Sequence, residues 1–418
     1  MSSSSTSPIP LGFWAASLSL IAIFAASATP IPLYAIYRAA EGLSYFELSL
    51  TAVFYFVSAI TALLVFGRLS NHIGRRPVVL LAVVLAMLAC VVFVNVSGVV
   101  SLIAGRVLQG LSCGLASSAA AAYVTDNAPS RPAWLASTVT STGTMVGLTI
   151  GAISSGGLIE YAPYRTVVPY LPILAGLGGC AVLVLASRET SPRHAGALAS
   201  LKPQFAMPAA SWKLFPVAGC LFVATWALGG FFQAFGPSLA ADQLGSSSAL
   251  VAAIVFSSYM APSALGGPLT GTLSPVAAQR IGAVAFVVCV GALLVSLSVG
   301  VIAAFLIASA CAGVAQGAVL SGTIRGLLAN AAPQERAGVF AVIFTTCYGG
   351  AAVPSLVAGQ FARWLSLPQV LSGYWALSIL ACVVTLIAAR HSLASEHMNV
   401  TEKSESMSAS PRGTGRYP

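Results

Sequence analysis

Charge is the scarcest commodity in this chain. Asp, Glu, Lys and Arg make up 7% of its 418 residues, against about 25% in a soluble globular domain. Only ten residues are acidic, and none falls in the middle of a long apolar run. The four histidines (72, 194, 391 and 397) lie outside those runs, which excludes a relay of membrane-buried imidazoles. The eight cysteines sit inside apolar runs and form no C-x-x-C pair, so they read as small buried residues rather than a disulfide framework or metal site. No metal and no cofactor is expected. A G-x-x-x-x-G-K-[ST] loop is missing, which argues against nucleotide-driven pumping. No Lys or Arg precedes Arg38. The run ending in Ala26-Ser27-Ala28 therefore lacks the basic flank of a signal peptide, and residues 11–37 read as a retained first span.

What the chain has in abundance is apolar sequence, 57% of the whole. It falls into about twelve runs: 11–37, 47–66, 78–96, 98–124, 133–158, 166–187, 214–239, 249–270, 279–297, 299–323, 337–362 and 370–389. Most are long enough to cross a hydrocarbon core of about 30 Å. The expected class is an all-α membrane protein. Residues 1–10 are Ser-rich and expected to be disordered, as is the polar tail 390–418. Residues 188–213 carry Pro192, Pro203, Pro208 and four basic residues. They read as a cytoplasmic linker dividing six spans (11–187) from six (214–389). The net charge of +9 is scattered through the loops and makes no stripe, so it points to a lipid bilayer and not to nucleic acid. With both termini cytoplasmic, fifteen of the nineteen Lys and Arg fall inside, while Arg38, Arg165 and Arg363 fall outside and Arg106 lies within a span. The reverse orientation breaks the positive-inside rule.

The halves echo each other at an offset of 204 residues. Gly67, Leu69, Ser70 and Arg76 recur as Gly271, Leu273, Ser274 and Arg280, and Tyr55 recurs as Tyr259. In register these matches suggest two duplicated, pseudo-symmetric six-helix bundles.

The polar island from Gly67 to Pro77 reads Gly-Arg-Leu-Ser-Asn-His-Ile-Gly-Arg-Arg-Pro. Gly67, Leu69, Gly74, Arg75 and Arg76 resemble the loop between helices two and three of the major facilitator superfamily. Asn71 stands where that family has Asp, and His72 where it has a strong base. In span four, Leu102, Arg106, Gln109, Gly110 and Gly114 resemble the family's fourth-helix signature. In span five, Gly147, Gly151 and Gly156 resemble the glycine signature of its antiporters, with Ala152 in the place of a Pro. Within the family, exporters of the drug/proton antiporter type are nearest by motif.

Arg106 is the only charge deep in an apolar run, where a charge is expensive and marks function by default. With Gln109 on the same face it reads either as a cation of the central cavity, serving substrate binding or proton coupling, or as a structural Arg bonded to neighbouring carbonyls. Tyr34, Tyr55, Trp226, Gln233, Tyr259 and Gln316 are further cavity candidates, and Gln316-Gly317 echoes Gln109-Gly110. Glu47 is a coupling candidate, although Ser44-Tyr45-Phe46-Glu47 also reads as a capping box. The resemblance implies a cytoplasmic gate built from Gly67, Asn71, Gly74, Arg75, Arg76 and Asp126, tied to the start of span eleven near 334–339. It implies transport rather than catalysis: export of a small organic molecule from a bacterial-type inner membrane, by a monomer exchanging it for protons. A sugar or metabolite symporter and a sensor of the same fold are the other readings, and no acid lies between residues 1 and 40 to carry the proton.

Overall fold

In hydrocarbon every backbone N–H and C=O must find its partner within the chain, and a helix does this segment by segment. A computed structural model describes residues 10–129, 134–203, 207–329, 331–332 and 335–408, and no side chain is described at 337 or 389–408. Residues 1–9, Arg131, Pro333, Gln334 and 409–418 thus lie outside the described residues.

The first half comprises α1 (Leu11–Ala28), α2 (Tyr34–Glu41), α3 (Tyr45–Phe66), α4 (Ser70–Ile73), α5 (Arg75–Val94), α6 (Val99–Leu115), α7 (Ala121–Asp126), α8 (Trp134–Tyr161) and α9 (Tyr170–Ala186). A π-helical turn, Ala116–Ala120, joins α6 to α7 in one crossing. The linker contains α10 (Ala197–Ser200). The second half comprises α11 (Ala209–Asp242), α12 (Ala249–Leu269), α13 (Pro275–Val299), α14 (Ile302–Leu328), α15 (Arg336–Phe361) and α16 (Leu367–Ser408). Among the described residues, eleven helices are long and apolar enough to cross a membrane. The shorter apolar helix α9 has 17 residues, which spans about 25 Å at 1.5 Å per residue.

Two boundaries depart from expectation. The run 11–37 is not one helix: α1 ends at Ala28 and α2 begins at Tyr34, with turns between. Pro30 and Pro32 each remove an N–H that a continuous helix needs. At the other end, the helical backbone of α16 continues past its apolar stretch to Ser408, where a disordered tail is expected from 390. Extending a helix that is already formed needs no new nucleus.

Within each half the glycines set the closest approaches. A Cβ on Gly110 would run into Tyr55 O and Ser58 of α3, and one on Gly313 would run into Tyr259 O of α12. The same crossing is thus built twice. It also shows that Gly110 matches Gly313, so Gln316 lies about one turn away from the position equivalent to Gln109. The halves meet where α8 packs on α12 and α3 packs on α15. Outward faces are apolar: Leu81, Val84, Leu88 and Val91 form an exposed stripe on α5 at helical spacing. Such stripes suit lipid and not water.

Candidate functional site

Between the halves lies a chamber of about 560 Å³. Its wall includes Phe24, Tyr55, Phe56, Trp226, Phe256, Phe344 and Tyr348, with Met145, Met260, Gln233 and Gln316. Trp226 and Gln233, two turns apart on α11, both face it. The chamber reaches Thr140 and Ser141 near the start of α8, and Ile324 and Arg325 near the end of α14. These mark the end of the molecule that carries Arg75 and Arg76, here called the basic end.

The far end is shut by contacts from half to half. Arg38 of α2 pairs with Asp242 at the end of α11, Nη1 to Oδ2 at 3.2 Å. Tyr45 of α3 donates to the same carboxylate. Glu160 of α8 accepts from Ser248 Oγ at 3.0 Å and from Ala249 N at 3.2 Å, at the N-terminus of α12. Arg363 lies 4.7 Å above the Phe46 ring.

Arg106 is fully buried, but it does not line the chamber. It stands behind the wall, with its guanidinium carbon 5.6 Å from the centre of the Tyr55 ring. Its position follows from the break after α1. Pro30 has no N–H, so the Ala26 carbonyl loses its helical donor, and Gln109 Nε2 supplies one at 2.7 Å. Ile31 N turns to Ala28 O, freeing the Ser27 carbonyl, which accepts from Arg106 Nη1 at 2.8 Å. Arg106 Nη1 also donates to Gln109 Oε1 at 2.9 Å, and Nε donates to the Tyr34 hydroxyl. Arg106 and Gln109 therefore stitch the broken first span to span four. Among the described residues no carboxylate bonds to Arg106, and its Nη2 has no hydrogen-bond partner.

The remaining cavity candidates divide by position. Tyr55, Trp226, Gln233 and Gln316 line the chamber. Tyr34 belongs to the Arg106 cluster. Tyr259 is packed away from the wall, stacked on Phe232 at 5.0 Å and donating to Thr225 O at 2.9 Å. Glu47 sits outside the chamber as the reciprocal partner of Ser44 in a capping box, where it stabilises the start of α3.

The expected gate residues gather at the basic end, all within the first half. Arg75 bonds Asp126 through Nε at 3.0 Å, and its Nη1 reaches Ser70 Oγ at 2.7 Å and Asn71 Oδ1 at 2.5 Å. The Arg75–Asp126 pair thus bridges no gate between halves in this conformation. Arg76 donates to the carbonyl of Val184 at 3.0 Å, holding the end of α9. Gly74 has φ +104°, a left-handed value that favours glycine, whereas Gly67 is right-handed helical. Sequence reasoning passed over Glu189. Its carboxylate accepts from Arg75 N at 2.8 Å and Arg76 N at 3.0 Å, so it caps α5. The linker docks here as well: His194 N donates to His72 O at 2.9 Å and Arg68 to Lys202 O at 2.8 Å.

The span-five glycines serve two contacts. Gly147 and Gly151 let α8 lie directly on α1, where a Cβ would strike the carbonyls of Ile21 and Ala25. Gly156 faces α12 across the halves, 2.7 Å from Ala253 Cβ when a Cβ is added. Phe256 and Met260 of α12 and Phe344 of α15 were not singled out in advance, because nothing in the sequence separates a chamber ring from a packing ring.

Comparison with known proteins bears on this arrangement. The family model described as Major Facilitator Superfamily matches residues 16–356. A search of curated proteins finds no match.

Proposed function

The chain belongs to the major facilitator superfamily, and on that premise we propose that it exports small organic molecules by alternating access, in exchange for protons. The observation that carries this reading is the chamber, which reaches the basic end while cross-half contacts shut the far end. By the positive-inside rule the basic end is cytoplasmic, so the chamber loads from inside. Both termini are then cytoplasmic, the membrane is a bacterial-type plasma membrane, and the unit is a monomer.

Among the described residues no carboxylate lines the chamber. Proton exchange therefore falls to a carboxylate at the rim. Asp242 is the one we assign, since Arg38 and Tyr45 hold it while the far end is closed and opening must release it. A sensor of the same fold is the second reading, favoured by that acid-free wall.

Everted membrane vesicles decide between them. A panel of organic solutes is offered with and without an inward-acidic pH gradient. Accumulation that needs the gradient supports proton-coupled export. Accumulation indifferent to it keeps export and removes proton exchange. Solute binding without flux in either direction selects the sensor.

A further inference from the structure

The described carboxylates all lie at the ends of helices. Glu41 closes α2, Glu47 opens α3, Asp126 closes α7 and Asp242 closes α11. Glu160 is one residue from the end of α8, Glu189 follows α9, and Glu335 precedes α15. None touches the chamber wall. The positive charges are placed differently. Arg325 lines the chamber at its mouth, held by the carbonyls of Thr270 and Leu273 at 3.1 and 3.0 Å. Arg106 stands one ring behind the wall at Tyr55.

The hydrogen-bonding balance leans the same way. Three buried N–H groups in and behind this wall have no acceptor: Arg106 Nη2, Arg325 Nε and Trp226 Nε1. Buried donors are normally satisfied, so three together indicate a missing acceptor. The two amides of the wall, Gln233 and Gln316, can turn either end to a ligand. Rings and methionines make most of the remaining surface, which suits a flat apolar body. A cation would meet the Arg325 guanidinium at the wall and the field of Arg106 behind it, with no countercharge among the described lining residues, in a site of low dielectric.

We infer that this chamber takes amphipathic organic anions, an aromatic body bearing a carboxylate or similar acceptor, and rejects organic cations. The inference rests on the transport reading for its physiological meaning, but it concerns binding and is tested without flux.

The purified full-length chain is titrated calorimetrically with three probes of one shape: naphthalene-2-carboxylate, naphthalene-2-carboxamide and 2-naphthylmethylammonium. The expected order is carboxylate, then amide, then ammonium, with at least tenfold between first and last. Arg325→Gln should weaken the carboxylate about tenfold and leave the amide unchanged. Arg325 also bonds the backbone at the end of α12, so a second variant guards against simple unfolding. Gln316→Glu places a carboxylate on the wall at nearly constant shape, and it should invert the order of carboxylate and ammonium. Equal or tighter binding of the ammonium to the parent chain, or no binding of any probe, overturns the inference. Carboxylate binding without movement across vesicles leaves it standing and removes transport instead. Ammonium export does the reverse.

Discussion

Arg38 and Asp242 face each other across the two halves at 3.2 Å, and they are 204 residues apart. That separation equals the internal repeat, so the two residues occupy equivalent positions in the duplicated halves. Equivalent positions come into contact only near the pseudo-twofold axis. Duplication alone would put two identical side chains there. This chain carries opposite charges instead, and so turns a symmetric meeting point into a clasp.

The clasp predicts how the far end opens. Its side chains keep 25% and 31% of their exposure, so the pair contributes only about 0.2–1 kcal/mol. Asp242→Asn should favour far-end opening by about fivefold at most. Spin labels at 41 and 247 should report a growing population of long distances. Exchanging the charges, Arg38→Asp with Asp242→Arg, should restore the parent distribution. An unchanged distribution in Asp242→Asn means that the far end is held by packing alone.

Much of this was legible beforehand, and the reasons differ by element. The spans could be read because each apolar run is long and nearly free of charge. The break at 29–33 was hidden because Pro30 and Pro32 interrupt the run without making it polar. Arg38 was read only as an outside charge, although the offset that joins it to Asp242 was already visible in Tyr55 and Tyr259. Arg106 was singled out as the one deep charge, and it is fully buried, though behind the chamber wall. Gln109 beside it and a bond to a neighbouring carbonyl were both among the readings, but that the carbonyl is Ser27 follows from the break at those prolines. Glu189 was read as part of a spacer, because a capping role needs the fold that brings residue 189 to residue 75.

The prolines and Arg106 form a testable unit. Removing the guanidinium leaves the Ser27 carbonyl buried and unpaired, which costs about 1–3 kcal/mol. Arg106→Ala should reach the membrane with a lowered melting temperature and transport nothing. Gln109→Leu should destabilise for the same reason through Ala26. In a Pro30→Ala background the N–H returns, and the cost of Gln109→Leu should shrink. Equal costs in both backgrounds would break the link between the helix break and the cluster, and normal flux through Arg106→Ala would remove Arg106 from the mechanism.

The glycines of α8 should separate folding from gating. Gly151→Leu pushes α8 off α1 inside one half and should abolish folded protein. Gly156→Leu obstructs only the meeting with α12, so it should fold and hold the far end open in the 41–247 distance measurement. Gly157 has open space around its Cβ position, and Gly157→Ala should be silent. A folded Gly151→Leu, or a Gly156→Leu that closes normally, contradicts this division.

Orientation can be checked in the docked linker. Ser200 is buried, whereas Leu198 is 85% exposed. In a chain freed of its eight cysteines, Leu198→Cys should react in intact cells only with a membrane-permeant thiol reagent. Ready labelling by an impermeant reagent would invert the assigned topology and with it the direction of transport.

The basic end yields the last prediction. Arg75 already holds Asp126, Ser70 and Asn71, all within the first half, while the chamber reaches this end. The Arg75–Asp126 pair therefore survives opening, and losing it should not tilt the gate. This revises the sequence-based expectation that Asp126 helps to hold the gate shut. Asp126→Asn should lower thermal stability slightly and leave the gate distance unchanged. Asn71 differs because its position faces solvent. Closing the basic end must bring this loop towards the start of α15, whose N-terminal N–H groups favour a negative charge. Asn71 brings an acceptor without a charge, so Asn71→Asp should favour the closed basic end by about 0.3–1 kcal/mol. The measurement is the spin-label distance between positions 72 and 332, which should shorten in Asn71→Asp alone. A shift in Asp126→Asn would restore that residue to the gate. No shift in Asn71→Asp would mean that charge at position 71 has no part in closing it.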